Sequence, residues 1–267
     1  MKPCIRNTAL SVVVLLSLAG LAGCMHQPVQ SATAPAPAPA SSLQASQPIP
    51  LFSAGLPGQL PPGWQPFKLM SNKKPTEYSL VEEADAPGGP VLHAQAVASA
   101  SALRHQVDID PNDRSWLEWR WKAGGLIKTA DLFHRETSDS PTRIVLAFDG
   151  DRSTLPALDQ ILFDMAKLIT GHEVPYATLM YVWENKAPVA SVIPNARTGR
   201  IQKIVVESGP EGVGQWRQYS RNIVDDYQKA FKEKPGRLIG IGVLTDTDNT
   251  GETVEAWYGD IRLLNRL

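Results

Sequence analysis

One stretch near the middle of the chain alternates strictly between apolar and charged residues. Within residues 115–122, Leu117, Trp119 and Trp121 fall on one side of an extended chain, and charged residues fall on the other. Successive side chains of a β-strand point to opposite faces of its sheet. The stretch therefore predicts a half-buried strand of an antiparallel sheet, with its tryptophans in a core and its charges towards solvent.

The rest of the sequence repeats this pattern in short pieces. We count about nine or ten strand-like segments, separated by frequent turn signals, and only two helical patterns. Apolar residues recur at helical spacing from Leu158 to Ile169 and from Ile223 to Phe231, with Asn222 as the N-cap of the second helix. Strands do not alternate one for one with helices, which argues against a doubly wound parallel sheet. We predict a mainly β fold, a two-sheet jelly-roll-like β-sandwich with two helical insertions.

The first residues have the features of a secretion signal. Lys2 and Arg6 precede a short apolar run, and residues 1–23 end in Leu-Ala-Gly before Cys24. This run is too short for a transmembrane helix, which needs ~20 apolar residues. Leu-Ala-Gly-Cys also resembles a bacterial lipobox, and Met25 after the cysteine then implies the outer membrane. The alternative is a secreted protein with a chance cysteine. We predict lipidation of Cys24 and anchoring to the cell envelope, at the periplasmic face of the outer membrane.

Composition divides the remaining chain in two. Residues 24–59 are rich in Pro, Ala and Ser and carry no Asp, Glu, Lys or Arg, so we predict a disordered tether after the lipidated cysteine. Residues 60–267 are long enough for one core, and we predict a single jelly-roll-like domain there. Because Lys2 and Arg6 are the only charges before it, the domain holds 26 minus two, or 24, basic residues against 27 acidic ones. This near-neutral balance argues against a nucleic-acid partner.

An acidic loop between two strand-like runs offers the densest group of oxygen ligands. Asp246, Asp248 and Thr250 alternate before a glycine, as in the first half of a calcium-binding loop. The EF-hand is excluded, because Trp257 stands where its bidentate glutamate is needed. Two interpretations stay open. One is a structural calcium site that also uses Asp260; the other is a polar hairpin whose side chains bond their own backbone. No other cofactor is predicted.

Two further groups of residues are candidates for ligand binding. Asp149 and Asp151 follow a predicted central strand, where paired carboxylates either serve acid–base chemistry or form a turn. Trp183, Glu184 and Trp257 combine aromatic faces, which stack on sugar rings, with a carboxylate that binds hydroxyl groups. Core packing is the alternative for the tryptophans. The sequence has no spaced histidine pair, serine elbow or phosphate loop, so no catalytic residue is assigned.

The predicted domain resembles a bacterial family. The matching pieces are Trp-Arg-Trp-Lys at 119–122, Ile-Val-Leu-Ala-Phe at 144–148, Tyr-Val-Trp at 181–183, and the segments 221–227, 239–251 and 258–261. They resemble the domain of unknown function 3047, and this resemblance implies no established activity. The last strand, residues 257–263, is similar to the closing strand of galactose-binding-like carbohydrate-binding modules. That similarity implies a structural calcium near Asp260.

These observations predict a membrane-anchored envelope lipoprotein whose β-sandwich binds a carbohydrate or another cell-envelope ligand. Its expected partners are the lipid bilayer and a glycan. The alternative is a polysaccharide-acting hydrolase or lyase that uses loop carboxylates, and glycoside hydrolysis needs two of them ~5–5.5 Å or ~6.5–9.5 Å apart. A purely structural lipoprotein is the third class, and it needs no cleft.

Overall fold

The computed structural model describes residues 49–86, 88–170 and 172–265. Their fold is mainly β, and two sheets pack face to face as a jelly-roll-like β-sandwich, which confirms the predicted fold class. In chain order, the strands are β1 (Gln65–Phe67), β2 (Glu77–Val81), β3 (Val91–Val97), β4 (Ala100–Ile109), β5 (Trp116–Ala123), β6 (Ser140–Phe148), β7 (Ala177–Glu184), β8 (Val192–Pro194), β9 (Ile201–Ser208), β10 (Arg217–Asn222), β11 (Leu238–Asp246), β12 (Thr253–Tyr258) and β13 (Arg262–Leu264).

The strands divide between a seven-stranded and a six-stranded sheet. The first has the order β1-β4-β11-β6-β7-β9-β8, and the second has the order β10-β5-β12-β3-β2, with β13 paired to β5. The paired strands are antiparallel except for β7 and β9, which are parallel. Strands β11, β6, β7 and β9 are far apart in sequence, yet they lie side by side. This order brings residues from the middle and the end of the chain onto one sheet face.

The main hydrophobic core lies between the inner faces of the two sheets. Trp119 and Trp121 of β5 are buried in it, and Trp119 stacks on Tyr181 of the opposite sheet with ring centroids 4.9 Å apart. Glu118 and Arg120 lie partly exposed on the other face of β5. The alternation predicted for this strand is therefore confirmed, except that Lys122 does not face solvent: it is 6% exposed because Glu83, Asp85 and the Trp257 ring cover it.

Both predicted helices are present, as α1 (Ala157–Thr170) and α2 (Ile223–Phe231). Asn222 caps α2 as predicted, because its side-chain oxygen accepts a hydrogen bond from the Val224 N–H at 3.0 Å. Ile223 and Tyr227 anchor α2 in the core. Neither helix, nor any other among the described residues, is long and apolar enough to cross a bilayer.

Helix α1 does not turn its apolar stripe into the core. Leu158, Ile161, Met165 and Leu168 are between 51% and 85% exposed. Among the helix side chains that the structure describes, only Phe163 is buried. A stripe of this kind normally faces the core of a protein. The helical spacing was predicted correctly, but α1 leaves most of its apolar surface without a partner among the described residues.

The folded part begins before the predicted boundary at residue 60. The Phe52 side chain is fully buried. The Ser53 N–H and hydroxyl donate to the two oxygens of the Asp260 carboxylate at 3.0 and 2.8 Å. Residues 49–59 thus belong to the sandwich and not to the tether, a correction to the predicted boundary. The predicted signal, Cys24 and the tether up to residue 48 lie outside the described residues.

Candidate functional site

The predicted acidic loop begins with a buried ion pair. Asp246 ends β11 and is 6% exposed. The Arg143 guanidinium donates from Nε to Oδ1 and from Nη2 to Oδ2 of its carboxylate, both at 2.9 Å, and the Ser140 N–H donates to Oδ1 at 3.1 Å. Burial raises the pKa of the Asp246 carboxyl, and the Arg143 charge opposes that rise. Both carboxylate oxygens are therefore occupied by protein donors.

Asp139 holds the rest of this loop in place. It is 1% exposed and lies just before β6. The Thr250 N–H and hydroxyl both donate to Asp139 Oδ2 at 2.8 Å, and Asn249 Nδ2 donates to Oδ1 at 2.7 Å. The polar groups of the hairpin loop thus bind the carboxylate of a neighbouring segment, and Thr250 is part of that contact.

The three carboxylates of this region also form a cluster. One oxygen from each of Asp139, Asp246 and Asp248 lies within 4.8 Å of the others. Asp248 is ion-paired with Lys73, and Asp246 with Arg143. A calcium ion at this position would have to displace two cationic side chains, so the donor set fits a closed hairpin better than a cation site. Calcium stays a prediction, which a fall in melting temperature on chelation would support.

The other predicted carboxylates lie apart from this cluster. Asp260 binds the N-terminal segment, as described above. Asp246 pairs with Ser140 at the start of β6, whereas Asp149 follows the end of that strand. Nine residues of extended chain separate these two ends by roughly 30 Å. Asp151 caps the turn beyond, where its carboxylate accepts a backbone N–H at 2.9 Å. The loop carboxylates at the two ends of β6 are thus too far apart to act as one acid–base pair.

Trp183 and Glu184 are buried, which contradicts their prediction as ligand contacts. Trp183 is 0% exposed, and its Nε1 donates to the Gly209 carbonyl at 3.0 Å. Glu184 is 3% exposed, and its Oε2 accepts the Lys186 and Ala187 N–H groups at 2.5 Å each. The first side chain packs in the core, the alternative noted above, and the second organises the loop after β7.

Trp257 lies partly exposed on the outer face of the six-stranded sheet. Strand β12 runs between β3 and β5, and each neighbour contributes a contact. His93 stacks on the indole with centroids 5.1 Å apart, and the Lys122 ammonium lies 4.7 Å from the indole centroid. Lys122 also donates to Glu83 at 2.6 Å and to Asp85 at 2.9 Å. The indole is thus one member of a cross-strand row, which leaves less of its face open to a sugar.

A cleft of about 920 Å³ lies between α1 and the outer face of the seven-stranded sheet. Met180, Arg143 and Lys203 form its floor, and Leu162 and Met165 of α1 form one wall. Its volume falls within the ~300–1,000 Å³ that is common for small-molecule sites. Of the predicted site residues, Asp246 and Asp248 line this cleft. We take the cleft as the candidate functional site.

Lys203 is the most unusual group in the cleft. It is 3% exposed, and its ammonium donates to the Leu132 carbonyl at 3.3 Å. Burial lowers the pKa of Lys203 from 10.5 to about 8, the Arg143 charge acts in the same direction, and Asp246 opposes both. An ammonium carries three donors. The described residues therefore satisfy this group only in part.

Sequence reasoning missed Arg143 and Lys203, although each carries a signal. Both are charged residues inside otherwise apolar strand segments, Ile-Val-Leu-Ala-Phe after Arg143 and Ile-Val-Val after Lys203. Such side chains are rarely buried without a partner. Alternation along the strand places them on the face opposite the core residues Ile144 and Ile204. A charged residue within a central strand is thus the sequence signal that could have indicated a buried polar site on the outer face.

Comparison with protein families confirms the resemblance noted above. Residues 62–262 match the family model described as protein of unknown function DUF3047. The chain belongs to the DUF3047 family. The match runs from just before β1 to the start of β13 and so covers the sandwich. No curated protein matches the chain.

Several solved structures are similar to this member of the DUF3047 family in fold. The family 30 carbohydrate-binding module of a cellulosomal cellulase from Clostridium thermocellum is 10% identical, with a TM-score of 0.37, over 76% of this chain and 94% of the module. Endoglucanase 3 from Trichoderma harzianum is 10% identical, with a TM-score of 0.38, over 84% and 99% of the two chains. A cyclase from Fischerella sp. TAU is 14% identical, with a TM-score of 0.37, over 82% and 96%.

Replacing Lys203 should change how stability depends on pH. Because the pKa is lowered by folding, the unfolded chain binds more protons than the native one between pH 8 and 10.5, and the stability of the wild type rises there. Relative to Lys203→Met, the wild-type free energy of unfolding should increase by about 2 kcal/mol from pH 8 to 10. Guanidinium titrations at several pH values measure this. The same substitution at the exposed Lys234 is the control. If the difference in free energy of unfolding between the wild type and Lys203→Met does not change with pH, the burial of a charged amine is contradicted.

Proposed function

We propose that this chain is a lipid-anchored protein of the bacterial cell envelope, and that its sandwich binds a carbohydrate or another envelope component in the cleft beside α1. The observation that carries the binding proposal is the cleft itself, which combines a charged floor with an apolar helix wall. Sites for small ligands typically have this composition, mainly apolar with a few fixed polar groups. A purely structural protein would need no such concavity.

The anchoring half of the proposal rests on the sequence before the sandwich. The basic residues, the short apolar run and Leu-Ala-Gly-Cys occur in the order of a lipoprotein signal, and an uncharged segment rich in Pro, Ala and Ser follows. Such a segment acts as a spacer between a membrane and a folded domain. The described part of the sandwich starts at residue 49, so the spacer of this proposal lies between Cys24 and that residue.

The contacts of the carboxylates favour a binding protein over the polysaccharide-acting enzyme. Asp246 receives the Arg143 guanidinium on both oxygens, and Asp248 is paired with Lys73. A carboxyl held in this way is not free to give or take a proton from a substrate. Asp149 and Asp151 lie beyond the other end of β6, and the Glu184 carboxylate already accepts the Lys186 and Ala187 N–H groups.

Cys24→Ser should release the protein from the membrane fraction. The thiol of Cys24 is the proposed lipid attachment point, and the serine hydroxyl cannot replace it. Metabolic labelling with a radioactive fatty acid, followed by fractionation of the envelope, measures both properties. Cys4→Ser is the matched control, because Cys4 lies within the cleaved signal and should leave labelling intact. Label or membrane retention in Cys24→Ser at the wild-type level would overturn the anchoring proposal.

Blocking the cleft should abolish binding of the envelope ligand. Ala166 lines the cleft from α1, so Ala166→Trp places an indole in the ligand space. The full chain with Cys24→Ser, which cannot be lipidated, is screened against an array of glycans and cell-wall fragments. We expect at least one to bind and the cleft variant to lose about tenfold or more in affinity. Ala157→Trp, on the exposed start of the same helix, and Asp151→Asn should bind normally. A ligand affinity that Ala166→Trp leaves unchanged would contradict the proposal.

A further inference from the structure

The cleft is lined by more cationic than acidic residues. The cationic residues are Lys73, Arg135, Arg143, Arg197, Arg200 and Lys203. The acidic residues are Glu136, Asp246 and Asp248. The predicted domain as a whole has more acidic than basic residues. Positive charge is therefore concentrated here, against the trend of the chain.

Half of these cations already have a carboxylate partner. Asp248 pairs with Lys73, Asp246 pairs with Arg143, and Glu233 pairs with Arg200 at 2.6 Å. These pairs build the floor and one end of the cleft. The other three cations of the cleft are not part of these pairs.

Arg135, Arg197 and Lys203 have no carboxylate within ion-pair distance among residues 49–86, 88–170 and 172–265. Arg135 and Arg197 are exposed at the rim, and Lys203 is buried at the floor. The described contact of the Lys203 ammonium is the Leu132 carbonyl at 3.3 Å. Asp246, the nearby carboxylate, is already bound on both oxygens by Arg143, so an anionic ligand group in the cleft would stabilise the buried ammonium.

The wall opposite the floor is apolar. Leu162, Phe163, Met165 and Ala166 line the cleft from α1, and Leu168, 85% exposed, continues the apolar stripe away from it. A soluble protein rarely leaves a contiguous apolar face open unless something binds to it. We therefore expect an apolar group to bind along the stripe and to reach the cleft at Met165, which belongs to both.

Aromatic residues for stacking a sugar are scarce at this site. Among the described residues that line the cleft, Phe163 is the single aromatic side chain, and no tryptophan or tyrosine is present. A neutral glycan would find no flat indole platform here, and two of the three carboxylates that line the cleft, Asp246 and Asp248, are held by cations. The site is therefore better matched to charge and apolar surface than to a neutral sugar.

We infer that the cleft binds an amphipathic anion, with a carboxylate or phosphate group at Lys203 and the rim arginines and an acyl or similar apolar body along α1. This inference rests on the proposed function, because it names the class of envelope ligand that the cleft takes. The geometry supports it through two separate surfaces, the three cations that have no carboxylate partner among the described residues and the apolar wall of α1, where Met165 is 51% exposed. Each surface can be removed without the other.

Calorimetric titration of the full chain with Cys24→Ser tests this inference. The probes are octanoate and octyl phosphate as amphipathic anions, 1-octanol as the chain alone, acetate and inorganic phosphate as the head group alone, and trigalacturonate as an anionic glycan. We expect both amphipathic anions to bind at least about tenfold more tightly than the chain or the head groups alone. Tight binding of octyl phosphate with weak binding of octanoate would still support the inference and would identify phosphate as the head group.

Variants then separate the two surfaces. Lys203→Met should reduce octanoate affinity to that of octanol, about tenfold, whereas Lys234→Met should not change it. Met165→Asp should weaken octanoate binding, and Leu158→Asp, on the part of the stripe outside the cleft, is its control. Arg197→Gln should give a smaller loss of octanoate affinity. Because Arg197 is exposed, this variant keeps the test valid if Lys203→Met fails to fold.

Two results would overturn the inference and leave different conclusions. If trigalacturonate or a neutral glycan binds and octanoate does not, and Ala166→Trp blocks that binding, the cleft is a carbohydrate site and the proposed function stands. If octanoate and octanol bind equally and Lys203→Met has no effect, the cations do not recognise the ligand. The proposed function is then tested only by the array of glycans and cell-wall fragments.

Discussion

The buried pair of Arg143 and Asp246 is the interaction on which this region of the protein depends. The two residues are 103 positions apart in sequence and meet because β11 pairs with β6. Each charge is nearly inaccessible to water, so either one alone would be a buried charge without a counter-charge. The pair fixes the start of the hairpin after β11 and forms part of the cleft floor. The same ion pair therefore supports both the loop and the cleft.

The hairpin loop has a structural task that its sequence did not reveal. Asp139 accepts hydrogen bonds from both Asn249 and Thr250, which closes the loop against the segment before β6. Oxygen-rich loops resemble cation sites because the same carboxylates serve both purposes. Here the nearby cations and amides already supply the donors. The proposed binding surface is therefore the cleft beside the loop, where Lys203 has no carboxylate partner among the described residues and the Met165 side chain of α1 is 51% exposed.

The fold was predictable to the extent that local periodicity determines it. The alternation around Trp119 predicted β5 and its buried face, and Asn222 predicted the start of α2. The site was not predictable in this way, because it combines β6, β9, β11 and α1, which are distant in sequence. Its floor lies on the outer face of a sheet, where alternation predicts solvent. The stripe around Met165 has the spacing of a core helix, and spacing alone cannot show that its face is left uncovered.

The central claim is that the ligand binds in the cleft beside α1, and not on the surface tryptophan of the other sheet. Photo-crosslinking in living cells tests this most directly, with benzoylphenylalanine introduced in place of Met165 or in place of Trp257. We expect irradiation to attach a non-protein envelope component at position 165 and not at position 257, with the mass of the adduct identifying the ligand. An adduct at position 257 alone would contradict the account.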